Sequence, residues 1–182
     1  SKQGMSAYDV VNGYSEREIM TILRDYGEEK FAGRIARSIV KEREVKAIET
    51  TFELSEIIKN SIPAATRRTG GHPSKRSFQA IRIEVNGELR RLQDTLDDMF
   101  DSLSGGGRLA IITFHSLEDR IVKKAFQSYC KGCECPPGTP ICICGKTPAG
   151  SLPFKKKTAS PEELENNMRS RSATLRSVER IG

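Results

Sequence analysis

The chain has 182 residues, 30 of them lysine or arginine against 24 acids, for a formal net charge of +6. That length holds one domain with a real core, or one domain and a small appendage. No run of about 20 apolar residues is present, so no membrane span is expected, and no charged-then-apolar leader precedes a small-residue cleavage site, so secretion is not expected either.

Residues 15–26 read as a helix, opened by the Ser15 and Glu18 capping box and carrying Ile19, Ile22, Leu23 and Tyr26 on one face. A second helix is expected over 28–43, with Phe31, Ile35 and Ile39 spaced four apart. Lys30, Arg34, Arg37 and Lys41 fall on its wetter side, as a solvated face or an RNA contact. Thr50 and Glu53 open a third helix, running towards Pro63. Residues 63–76 form a loop with Pro63, Pro73 and two adjacent glycines. From Ser74 to Asp101, Phe78, Ile81, Val85, Leu89, Leu92, Leu96 and Met99 recur at helical spacing, which favours one long helix with Gly87 inside it. A turn at Asn86 and Gly87 is the alternative.

The period then changes. Three glycines at 105–107 lead into Arg108–His115, a short apolar run of the kind that forms a parallel strand covered on both faces. Ser116 is the expected cap of a following helix, which runs to about Tyr129 with Glu118 and Asp119 in its first turn. Residues 130–150 are rich in glycine, proline and cysteine. Beyond them lie a candidate short strand at 152–157, a helix opened by Pro161, and a candidate last strand over 173–181. The end of the chain is basic, with Arg169, Arg171, Arg176 and Arg180. One firm strand cannot make a complete doubly wound sheet.

Three groups of residues carry chemistry. A strand ending in polar residues puts His115, Ser116, Glu118 and Asp119 at its carboxyl edge, where α/β folds place ligands and catalysis. The plain alternative is a capped helix beside a satisfied histidine. The loop holds Arg67, Arg68, His72, Lys75 and Arg76 and no acid, and arginine forks suit phosphate oxygens. Docking on an acidic patch of the same protein is the alternative. Cys133, Cys135, Cys142 and Cys144 make two C-x-C pairs, which suit one structural zinc ion. Free thiols or a disulfide remain open, and Cys130 is left over.

The blocks SAYDVVNGYSEREIMTILRDYGEEKFAGRIARSIV, TRRTGGHPSKRSFQAIRIEVNGEL and GGGRLAIITFHSLEDRIVK, followed by the cysteine pairs and SRSATLRSVERI, resemble the ribosomal RNA small-subunit methyltransferase H family over nearly the whole chain. The resemblance implies an α/β fold: part of a class I, Rossmann-like methyltransferase sheet with an inserted all-helical domain. On that mapping residues 5–74 are the helical, substrate-recognising domain. Residues 75–182 are the C-terminal part of the methyltransferase domain. The implied reaction is methylation of N4 of a cytidine in 16S ribosomal RNA, with S-adenosylmethionine as cofactor. The implied partner is 16S ribosomal RNA or the small ribosomal subunit, in the cytoplasm. The family's first strands and glycine-rich cofactor loop have no counterparts among these residues. The resemblance therefore implies a C-terminal portion, inactive alone, with no cofactor contacts to carry over. An incomplete sheet also makes a homodimer or swapped assembly an expectation. The competing reading is a non-catalytic RNA-binding or ribosome-associated module.

Overall fold

The computed structural model describes residues 4–67, 71–133, 135, 136, 141 and 143–182, which divide by packing into two units between Glu88 and Leu89. The division falls later than residue 74 because the helix starting at Lys75 packs into the first unit, as detailed below.

The first unit is helical: α1 Ala7–Gly13, α2 Glu16–Asp25, α3 Ala32–Val45, α4 Thr51–Ser61, the single turn α5 Ala64–Arg67, and α6 Lys75–Asn86. The capping boxes expected at Ser15 with Glu18 and at Thr50 with Glu53 both form. Glu53 also takes the Lys46 ammonium at 3.0 Å, and with the backbone N–H groups of Glu49 and Thr50 this holds its pKa down at about 2. Helix α1 was not expected. It has only seven residues, and its box closes with aspartate, Ser6 with Asp9. Arg43 fastens the end of this short helix, donating from Nη1 to the Val11 carbonyl at 2.7 Å and from Nη2 to that of Tyr14. A cation suits the negative end of a helix.

Ile19, Ile22, Leu23, Ile35, Ile39, Ile58 and Ile81 form one buried core in this unit. The Tyr14 hydroxyl donates to Glu84 Oε1 at 2.7 Å, which ties α1 to α6 and raises the Tyr14 pKa to about 12. Close approach of α2 to α6 depends on Gly27. A Cβ there would stand 2.6 Å from the Leu23 carbonyl oxygen and 2.8 Å from that of Arg76. Neither backbone atom can swing aside, so Gly27→Ala is expected to destabilise the unit by about 2–3 kcal/mol. Gly13→Ala is the control, since a Cβ there meets nothing within 4 Å. Urea midpoints of the two variants check this.

The single long helix expected over 74–101 is broken. Gly87 adopts φ 60°, the left-handed cap of α6, and a new helix α7 spans Glu88–Asp101. Glycine takes that conformation without a Cβ penalty. Arg82 locks the turn, donating to both oxygens of Glu88 at 2.9 and 3.0 Å.

The second unit continues from α7 through β1 Arg108–Thr113, α8 Ser116–Tyr129, β2 Gly150–Ser151, β3 Lys157–Thr158, α9 Pro161–Asn166, a 3₁₀ turn Met168–Ser172, and β4 Thr174–Arg180. The last strand and the proline-opened helix fall where expected. Strand β1 does not behave as expected. It pairs antiparallel with β4, from Arg108 opposite Glu179 to Thr113 opposite Thr174. Strands β2 and β3 also pair antiparallel with β4. Exposure alternates along β1, so Leu109 and Ile111 face the core while Ile112 is 58% exposed. A continuous apolar run thus covers one face only among the described residues. The core behind it is Leu96, Phe100, Val122, Phe126 and Val178. The fold is mixed α/β with a small antiparallel sheet.

Candidate functional site

His115, Glu118 and Asp119 lie where β1 hands over to α8. The N-cap of α8 is His115, one residue before the serine expected there. Its Nδ1 accepts from the Glu118 backbone N–H at 3.4 Å. In return Glu118 Oε2 accepts from the N–H groups of Phe114 at 2.9 Å and His115 at 3.3 Å. This is a capping box built on histidine. An accepting Nδ1 puts the ring proton of a neutral imidazole on Nε2. That Nε2 stands 3.2 Å from Glu118 Oε1, yet the angle makes no hydrogen bond and the atom is buried without a hydrogen-bond partner.

Asp119 looks elsewhere. Both its oxygens take the Arg176 guanidinium, from Nε at 2.6 Å and Nη2 at 2.9 Å. Arg176 is itself 9% exposed and donates its Nη1 to the Lys155 carbonyl at 2.8 Å. The guanidinium holds the Asp119 carboxyl below the ordinary carboxylate range. The structure therefore joins His115 with Glu118 and commits Asp119 to fixing α8 against β4. The importance of Arg176 was hidden in a sequence where it was one of several terminal arginines.

Of the basic loop, His72, Lys75 and Arg76 line one cleft of about 310 Å³, together with Lys30, Phe31 and Glu29. Arg67 ends α5, and Arg68 lies outside the described residues. His72 is held from behind: Ser74 Oγ lies 2.7 Å from its Nδ1 and 3.1 Å from Ser55 Oγ. Ser74 is 1% exposed, so this support is internal. Arg76 Nη1 donates to the Glu28 carbonyl at 3.1 Å, and Glu28 has the left-handed φ of 49°. A non-glycine residue there is a strained turn held by its surroundings. Sequence reasoning found no acid in the loop. The buried Glu29 reaches the cleft from the turn before α3, a proximity that no local spacing signals.

Cys133, Cys135 and Cys144 bring their sulfurs within 4.8 Å of one another, while Cys142 lies outside the described residues. Among the described residues no helix is long and apolar enough to cross a membrane.

Sequence comparison extends these observations. The chain matches the MraW methylase family over residues 1–181. It is 56% identical over 99% of its length to a ribosomal RNA small subunit methyltransferase H of Lachnospira eligens. It is 53% identical over its full length to one of Ruminiclostridium cellulolyticum, and 56% identical over 97% of its length to one of a Paenibacillus species. The chain spans between 56% and 58% of the length of these curated relatives. A match along its whole length places it plainly: the chain belongs to the MraW methylase family.

Proposed function

We propose that this chain is the RNA-holding and acceptor-side part of an S-adenosylmethionine-dependent methyltransferase acting on N4 of a cytidine in 16S ribosomal RNA, in the cytoplasm. The observation that carries the reading is the half-buried His115 and Glu118 pair at the end of β1 in a chain of this family. The residues described do not by themselves fit a cofactor cradle. The glycines at 105–107 precede β1, and the strand leads into a capping box, not a glycine-rich turn. No step through the cofactor is therefore assigned to them.

What these residues do is orient and accept. Transfer of a methyl group to an exocyclic amine needs in-line placement, so orientation and fixed electrostatics supply most of the gain. The amine's lone pair is delocalised into the ring, and an acceptor must align its N–H and later take a proton. Glu118 Oε1 is that acceptor in this reading, with its other oxygen pinned by two backbone N–H groups. His115 offers its Nε2–H beside it as a hydrogen-bond donor that orients the base. Asp119 acts as a positioning residue through Arg176. A paired target base must leave its stack to reach such a site, and the cleft around His72 would hold RNA phosphates. Nucleoside analysis of 16S ribosomal RNA from cells with and without the gene tests the assignment. Loss of an N4-methylated cytidine supports it, and an unchanged nucleoside profile overturns it.

The basic cleft has its own expected outcome. Neutralising Arg67, Arg68, Lys75 and Arg76 together should weaken RNA binding about tenfold to a hundredfold. The slope of log affinity against log salt should flatten by roughly 0.7 for each phosphate that is no longer neutralised. Binding isotherms across a salt series measure both. An unchanged slope and affinity would remove these residues from the RNA interface and favour docking on the protein itself.

A further inference from the structure

The described residues of the excursion after α8 are mostly exposed. No helix or strand occurs among its described residues between Cys130 and Ala149. Its largest aliphatic side chains face water, with Ile141 77% and Ile143 84% exposed. Small elements without a core depend on cross-links or metals for their shape. Yet three sulfurs from opposite ends of the segment converge. Cys144 Sγ lies 3.8 Å from Cys133 Sγ, and Cys135 completes a set within 4.8 Å. The Cys135 backbone N–H turns back to Cys133 Sγ at 3.4 Å, the curl that a C-x-C pair needs to present both sulfurs to one point.

We propose that Cys133, Cys135 and Cys144 hold one structural zinc ion that shapes this excursion. Thiolate zinc bonds of about 2.3 Å in a tetrahedron put neighbouring sulfurs about 3.8 Å apart. A disulfide would need about 2.05 Å, and none of the described cysteines is in one. Soft thiolates select zinc over hard cations. Cys130 stands outside the set of converging sulfurs. A three-thiolate site leaves one tetrahedral position for a further ligand.

The site is independent of the catalytic reading, and its test needs no methylation assay. The full chain is purified under reducing conditions without added metal or chelator, and its zinc is measured by elemental analysis. One zinc per chain is expected, retained in Cys130→Ser and lost in Cys133→Ser and Cys144→Ser. Cobalt exchange into the unmodified protein is read alongside, since it does not depend on variants that fold. Intense tetrahedral d–d bands with a thiolate-to-cobalt charge-transfer band are expected. Three results would each overturn the proposal: protein that binds neither zinc nor cobalt, cobalt spectra without thiolate charge transfer, or zinc retained at full stoichiometry in both serine variants.

Discussion

Replacing Arg176 with methionine is expected to cost the second unit about 2–4 kcal/mol of stability. Removing one partner of a buried ion pair typically costs about 3–5 kcal/mol, because the other charge is left uncompensated. The Asp119 side chain is 27% exposed, so water softens part of that loss. Arg176→Met also releases the Lys155 carbonyl, which loosens the segment between β2 and β3. The pH dependence is a second readout. The Asp119 pKa is lowered from 3.8 in the folded chain, so the unfolded chain binds more protons in the window just below that value. The pair's stabilisation is therefore complete above the unfolded pKa and is lost as pH falls through the folded one. Urea titrations from neutral pH down through the carboxylate range should show this acid loss in the unmodified protein, and much less of it in Arg176→Met. Equal acid sensitivity in both would mean that the pair contributes nothing.

Phe126→Ala should cost about 3–5 kcal/mol, the usual range for deleting a buried aromatic ring. Phe126 is 1% exposed in a core whose other fully enclosed members are few: Leu96, Phe100, Val122 and Val178. Its ring stands 6.3 Å from that of Tyr129, which stacks on Phe100 at 4.1 Å. A core this small has little material to collapse into the cavity, which puts the cost at the upper part of that range. Phe52→Ala serves as the comparison: its ring is 74% exposed, and a change within about 0.5 kcal/mol is expected there. Thermal and urea unfolding of the two variants decide between these outcomes.

Helix interiors were legible in the sequence because their signals are local. Apolar spacing and two capping boxes located α2 and α4 within a residue or so. The failures have local causes as well. One conformational choice at Gly87 ended α6, and periodicity on either side could not register it. His115 displaced Ser116 as cap because an imidazole nitrogen does the work usually given to a hydroxyl. The larger difference is at β1. An uninterrupted apolar run predicts two covered faces, whereas the exposure of Ile112 and Phe114 leaves one open among the described residues. At the candidate site, membership of the His115 and Glu118 cluster was readable from adjacency. The turn of Asp119 towards Arg176, 57 residues away, and the presence of Glu29 in the wall of the cleft that His72 lines were not. Such meetings are made by tertiary packing, which no window of sequence contains.

The Ala149 N–H donates to the Tyr129 carbonyl at 2.9 Å, and Ile181 N–H donates to the Ala149 carbonyl at the same distance. The chain therefore leaves α8 and rejoins the sheet almost at one point. Whatever lies between those two residues adds contour length without changing the distance the backbone must bridge, and loop-closure entropy grows only slowly with that length. Insertions that leave Cys133, Cys135 and Cys144 in place would be absorbed by the excursion itself while the strands around β4 keep their register.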